Sequence, residues 1–283
     1  MPTFFNQATL TYDGKTVNSN IATGEILEVL TVTKTAVVDE YTNGSQITYA
    51  INVTNTSAQP VSGIVLSDNL GAYTFGTETL VPLDYVDGSV KYFINGSLQP
   101  TPTIATNPFT ISNLSIPAGG VATVLYTVET NNLASPEVGG SITNTVSITG
   151  GGGTAEAEET ITAENEPSLS LNKTVSPATV PENGSVTYTL TIENMGNTEA
   201  ATTDNPIISD TFDPRLTGLS VVYEGAVWTE NVQYTYNETT GLFTTLPGAI
   251  TVPAATFSRD PATGVWTTTP GTSSLTITGN IVA

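Results

Sequence analysis

The chain has only four lysines, and two of them interrupt apolar stripes. At the two-residue period of a strand, Leu30, Val32, Lys34, Ala36 and Val38 share one face. Leu169, Leu171, Lys173 and Val175 repeat that face later in the chain. Two aspartates are set the same way, Asp68 among Ile64, Leu66 and Leu70, and Asp210 between Ile208 and Phe212. Asn144 stands among Ile142, Val146 and Ile148, and Asn6 among Phe4, Ala8, Leu10 and Tyr12. A lysine, an aspartate and an asparagine aimed into a core must find one another, because an unpaired buried polar group is costly.

Held together, the three have a chemistry. Burial favours neutral lysine and protonated aspartate, so the amine becomes nucleophilic and the carboxylic acid polarises the asparagine carbonyl. Attack on the amide carbon releases ammonia and leaves an isopeptide bond, with proximity supplying most of the assistance. Two outcomes fit the trio: this bond, or a Lys–Asp ion pair with asparagine as a third hydrogen-bonding partner and no covalent change.

The elements that position these residues occur twice. Residues 30–70 recur at 169–212, with Lys34 on Lys173, Tyr49 on Tyr188, Asn55 on Asn194 and Asp68 on Asp210. The repeat is roughly 140 residues, which points to two homologous domains. Strict alternation at Ile47, Tyr49, Ile51 and Val53, and again at Val186, Tyr188, Leu190 and Ile192, reads as half-buried strand. Short strands punctuated by Asn43-Gly44, Asp87-Gly88, Asn95-Gly96 and Asn183-Gly184 predict an all-β chain of immunoglobulin-like sandwiches. The expected boundaries are 1–25 for an N-terminal hairpin turning at Asp13-Gly14, 26–163 for the first domain and 164–283 for the second.

The ends of the two domains differ. Residues 142–164 form a closing hairpin in the first, whereas the second stops after SSLTITGNIVA, the counterpart of GVATVLYTVET. The N-terminal hairpin, with Asn6 on Asn144 and Leu10 on Ile148, reads as that missing piece. An uncovered strand edge and apolar face are a hazard unless something fills them. The spacer from Glu25 to Leu30 reaches at most about 20 Å, which favours a neighbouring copy as acceptor. Repeated addition then gives a head-to-tail string, and Asn6 would complete a trio with Lys173 and Asp210. A segment taken from a longer array of repeats would read the same way.

A net charge of −20 with six basic residues excludes nucleic acid and anionic membrane as partners. Cysteine and histidine are absent, which removes disulfides, thiolate or imidazole metal sites and Ser-His or Cys-His dyads. The acidic Asp84, Asp87, Glu199 and Asp204 lack calcium-loop spacing, so neither metal nor cofactor is expected. MPTFFNQ carries no signal-peptide pattern, and no apolar run is long enough for a membrane helix. Several Asn-x-Ser/Thr sequences, such as Asn113-Leu114-Ser115, are of the kind expected by chance in a threonine-rich chain. Trp228 and Trp266 fall in the middle of the second domain and are expected in its core.

Lys34-Thr35-Ala36, Asn43-Gly44-Ser45, Ile47-Thr48-Tyr49, Ser67-Asp68-Asn69-Leu70 and Ile142-Thr143-Asn144-Thr145-Val146 together resemble the bacterial surface-repeat family called "domain of unknown function 11" and the related fimbrial isopeptide-forming domains. The resemblance covers nearly all of the first domain and the outer thirds of the second. It implies a cross-link between a first-strand lysine and a last-strand asparagine with an acidic residue between: Lys34, Asn144 and Asp68, and Lys173 with Asp210. Asn6 extends the pattern between subunits, and the chain departs from the fimbrial relatives in lacking a sortase motif.

The expected function is therefore structural: a subunit of an extracellular fibre on a bacterial cell or spore, polymerising with itself, with an unidentified anchor or tip protein as a further partner. The competing expectation is a monomeric stalk or adhesin fragment with a binding face on the second domain. An enzyme is disfavoured by the missing histidine, cysteine and carboxylate dyad.

Overall fold

The computed structural model describes residues 3–25, 29–151 and 153–282. Residues 26–28, most of the expected spacer, lie outside them, as do residues 1–2, 152 and 283. The chain divides into two compact units, Met1–Asn131 with Ile142–Ile161 and Asn132–Ser141 with Thr162–Ala283. The loop Asn132–Ser141, ahead of the closing hairpin, thus groups with the second unit.

In the first unit two sheets face each other. One runs in the order Ser97–Leu98, Lys91–Ile94, Val121–Thr130, Gln46–Asn55, Leu30–Ala36. The other runs Thr103–Thr106, Phe109–Ile116, Val61–Asp68, Ser141–Gly150, Gly153–Ala163, Glu40–Tyr41. Alternation decides which side chains fill the space between. Ile47, Tyr49, Ile51 and Val53 on one sheet, and Ile64, Leu66, Val146 and Ile148 on the other, are fully buried. The immunoglobulin-like sandwich expected from the turn spacing is present. The first strand is shorter than its stripe suggested, since pairing ends at Ala36 and Val38 is exposed.

The second unit repeats the first sheet as Leu169–Ser176, Ser185–Asn194, Gly271–Ile281, Leu216–Tyr223 and Ala226–Val227. Against it lies a smaller sheet, Ser209–Thr211, Leu242–Thr245 and Tyr234–Asn237. Val186, Leu190, Phe212, Phe243 and Trp228 share its core. Trp228 is buried as expected, whereas Trp266 is half-buried with the Arg259 guanidinium 5.4 Å from its ring. The two sheets are unequally matched. In the first unit the Asp68 strand is flanked by Phe109–Ile116 and Ser141–Gly150. Its counterpart Ser209–Thr211 pairs only with Leu242–Thr245 among the described residues.

The N-terminal hairpin forms in two steps, Thr3–Asn6 on Ala22–Glu25 and Thr9–Tyr12 on Lys15–Asn18. Asp13 and Gly14 turn the chain with φ of 46° and 71°. Between the steps, Gln7 and Ala8 oppose three residues, Ser19 to Ile21, which makes a bulge. Ser19 ties it closed, its N–H donating to the Ala8 carbonyl at 2.8 Å and its Oγ accepting the Ala8 N–H at 2.9 Å.

Candidate functional site: two lysine–aspartate sites

The polar trio of the first unit assembles in the core. Lys34, Asp68 and Asn144 are all buried, and Lys34 Nζ donates to Asp68 Oδ2 at 2.5 Å. Each arrives by a different route. Lys34 comes from an edge strand, paired through Lys34↔Ile51. Asp68 ends the strand Val61–Asp68, and the register Val146↔Asp68 sets Asn144 beside the turn that follows. The first and last strands are not hydrogen-bonded neighbours. Lys34 lies on one sheet, while Asp68 and Asn144 lie on adjacent strands of the other, so the trio spans the sandwich. Strand order depends on long-range pairing that alternation does not encode.

Two further groups complete this site. Tyr126 donates its hydroxyl to Asp68 Oδ2 at 2.5 Å and accepts from Asn144 Nδ2 at 3.4 Å. The Gly71 N–H donates to Asn144 Oδ1 at 3.2 Å, while the Leu70 N–H holds Asp68 Oδ1 at 2.9 Å. Leu70 and Gly71 both have positive φ, 52° and 70°, and this turn aims their amides inward. Glycine is required at 71, since a Cβ there would stand 2.4 Å from Ile142 Cγ2.

The surroundings are aromatic and dry. Lys34 Nζ lies 4.6 Å from the Tyr49 ring centroid and 6.0 Å from that of Tyr126. Burial lowers the Lys34 ammonium to about 8, a shift the adjacent Asp68 only partly offsets. Burial also drives the Tyr49 and Tyr126 hydroxyls well above the ordinary tyrosine range. A lysine of this kind gives up its proton to the touching carboxylate far more readily than one in water.

The second unit holds a half-built copy. Lys173 Nζ donates to Asp210 Oδ2, with the Tyr188 and Phe212 ring centroids 4.6 and 5.1 Å from the amine. Here the pair is open, the two side chains being 38% and 16% exposed against zero for both in the first unit. The apolar companions Leu169, Leu171 and Val175 are exposed as well, although Leu30 on the matching strand is buried. In the place of Tyr126, which pairs across from Tyr49, stands Ile277, which pairs across from Tyr188.

The hairpin residues assigned to a core face, Phe4, Ala8, Leu10 and Tyr12, are all exposed, as is Asn6. Phe4 lies over Gly24, its cross-strand partner, so a Cβ on Gly24 would meet the ring. Tyr126 and Gly71 were not singled out from sequence. A tyrosine in an alternating strand reads as ordinary core, and a backbone amide has no residue signature.

No known family model matches the chain, and no curated protein matches it. Solved structures resemble it at the level of fold. The C-terminal domain of the Streptococcus agalactiae AgI/II polypeptide BspA is 13% identical with a TM-score of 0.30, over 89% of this chain and 92% of that one. BcpA, the major pilin subunit of Bacillus cereus, is 12% identical with a TM-score of 0.36, over 95% and 73%. The pilus backbone protein RrgB of Streptococcus pneumoniae is 12% identical with a TM-score of 0.35, over 85% and 55%. Likenesses of this size leave the function to be read from the chain's own residues.

Proposed function

We propose that this chain is a structural subunit of a surface fibre that grows head to tail, the hairpin of one copy completing the second sandwich of the next. One observation carries the reading. The Lys173–Asp210 pair repeats the buried Lys34–Asp68 pair but lies uncovered, beside a strand with an open flank. Asn6, in a hairpin whose apolar side chains Phe4, Leu10, Tyr12 and Val17 are all exposed, occupies the sequence position of Asn144. Each of the two surfaces is apolar, and each has what the other needs.

Docking places the Thr3–Tyr12 edge against Ser209–Thr211 and covers Leu169, Leu171 and Val175. Asn6 then meets Lys173, and loss of ammonia joins the subunits, as Lys34 and Asn144 join within the first sandwich. A contact between two different surfaces of the same chain repeats without closing and gives a filament. The resemblance to fimbrial isopeptide-forming domains belongs to this reading, as does a place on the outside of a bacterial cell or spore.

A boiled denaturing gel of the purified chain tests it. The expected result is a ladder of covalent multimers, lost in Asn6→Ala and Lys173→Ala while native assembly persists. A single monomer band, with monomers by light scattering before boiling, would leave a stalk rather than a fibre subunit.

A further inference from the structure

Resting on that reading, we propose that the Tyr126 hydroxyl is a catalytic proton relay for the Lys34–Asn144 bond, and that its replacement by Ile277 makes the joint between subunits the slower of the two bonds to form. The hydroxyl stands between the two atoms that must exchange a proton. It is 2.5 Å from Asp68 Oδ2, which faces Lys34 at 2.5 Å, and 3.4 Å from Asn144 Nδ2, the departing nitrogen.

The atoms balance along this path. Nζ starts with three hydrogens and passes one to Asp68 Oδ2. The amine attacks Asn144 Cγ, and the charge that develops on Oδ1 is held by the Gly71 N–H already aimed at it. The Asp68 proton moves to the Tyr126 oxygen as the Tyr126 proton moves to Nδ2, and Asp68 takes a second hydrogen from Nζ. The Cγ–Nδ2 bond breaks, ammonia leaves, and Nζ keeps its last hydrogen as an amide. A cleft of about 530 Å³ lined by Asp68, Leu70, Tyr85 and Phe109, among others, gives ammonia a way out. Tyrosine regains its proton in the cycle, so its high pKa is no obstacle.

In the second unit the same register position is aliphatic, Ile277 opposite Tyr188. Lysine and aspartate are in contact there, but no hydroxyl from that strand links the carboxylate to an arriving asparagine. The first sandwich therefore locks early, and the joint stays reversible for longer.

The test uses the full chain, harvested after a short induction and digested, with the Lys34–Asn144 and Lys173–Asn6 cross-linked peptides followed over time by mass spectrometry. Tyr126→Phe keeps the ring and removes the relay, and is expected to slow the first bond by about 100-fold or more, the lower end of the range for proton-transfer assistance. Ile277→Tyr is expected to speed the second bond. A Tyr126→Phe chain as fully bonded as wild type at the earliest time overturns the relay and leaves the bond itself standing. No Lys34–Asn144 peptide in wild type, with unaltered mass, overturns the bond and the relay together. Should Tyr126→Phe fail to fold, Ile277→Tyr decides: faster joints support the relay, and unchanged ones overturn it.

Discussion

Asp68 accepts hydrogen bonds from Lys34, Tyr126 and the Leu70 amide with both partners of its ion pair buried, whereas Asp210 shares an open pair with Lys173. The same substitution should therefore have unequal effects. Before any bond forms, Asp68→Ala strands a buried ammonium and is expected to cost about 3–5 kcal/mol. Asp210→Ala removes an exposed pair and is expected to cost about 1 kcal/mol or less. Chemical denaturation in an Asn144→Ala background, where the first bond cannot form, measures the Asp68 value, and monomeric protein gives the Asp210 value.

The pH dependence of that Asn144→Ala chain follows from the shifted groups. Lys34 releases its proton at about 8 when folded but near 10.5 when unfolded, so across this window the unfolded state binds more protons. Stability rises with pH there. Tyr49 and Tyr126 have the opposite sign: they ionise in the unfolded chain from about pH 10 while the folded chain keeps their protons, and stability falls. Urea midpoints should peak between the two. A flat profile from pH 7 to 10 would place Lys34 in contact with solvent.

At the scale of strands, the sequence made the stripes legible and left the pairings hidden. Lys34, Asp68 and Asn144 announced themselves because a two-residue period has no place for a charge on an apolar face. That Lys34 reaches Asp68 across the sandwich, rather than Asn144 along one sheet, depends on strand order. The break at Gln7-Ala8 was equally hidden, because a bulge is set by the count of residues on the opposite strand. Gly71 also belongs at this scale. Its left-handed turn and the 2.4 Å approach of Ile142 to any Cβ mean that Gly71→Ala should displace the amide facing Asn144. The Lys34–Asn144 peptide should then be scarce in digests of this variant, even where circular dichroism shows intact sheet.

At the scale of the whole molecule, the net charge of −20 opposes end-to-end growth, since each added copy brings like charge to like. The screening length falls from roughly 30 Å at 0.01 M salt to about 8 Å at 0.15 M. Filament growth followed by light scattering should accelerate over that range. Removal of residues 1–25 should abolish growth at every salt concentration, and a hairpin-deleted chain that still polymerises would place the joint elsewhere.

The three residues Ser19 to Ile21, set against two on the other strand, act as a gauge. On the turn side of the extra residue Leu10 faces Val17 and Tyr12 faces Lys15; on the other side Phe4 faces Gly24 and Asn6 faces Ala22. Shortening this stretch by one residue changes almost nothing in composition and keeps both sets of pairs, yet it merges them into one regular ladder and removes the bend and extra twist of the bulge. The hairpin would still fold and still carry Asn6, but Phe4 and Leu10 would be set at a different angle to each other. Insertions and deletions here should be far less tolerated than substitutions.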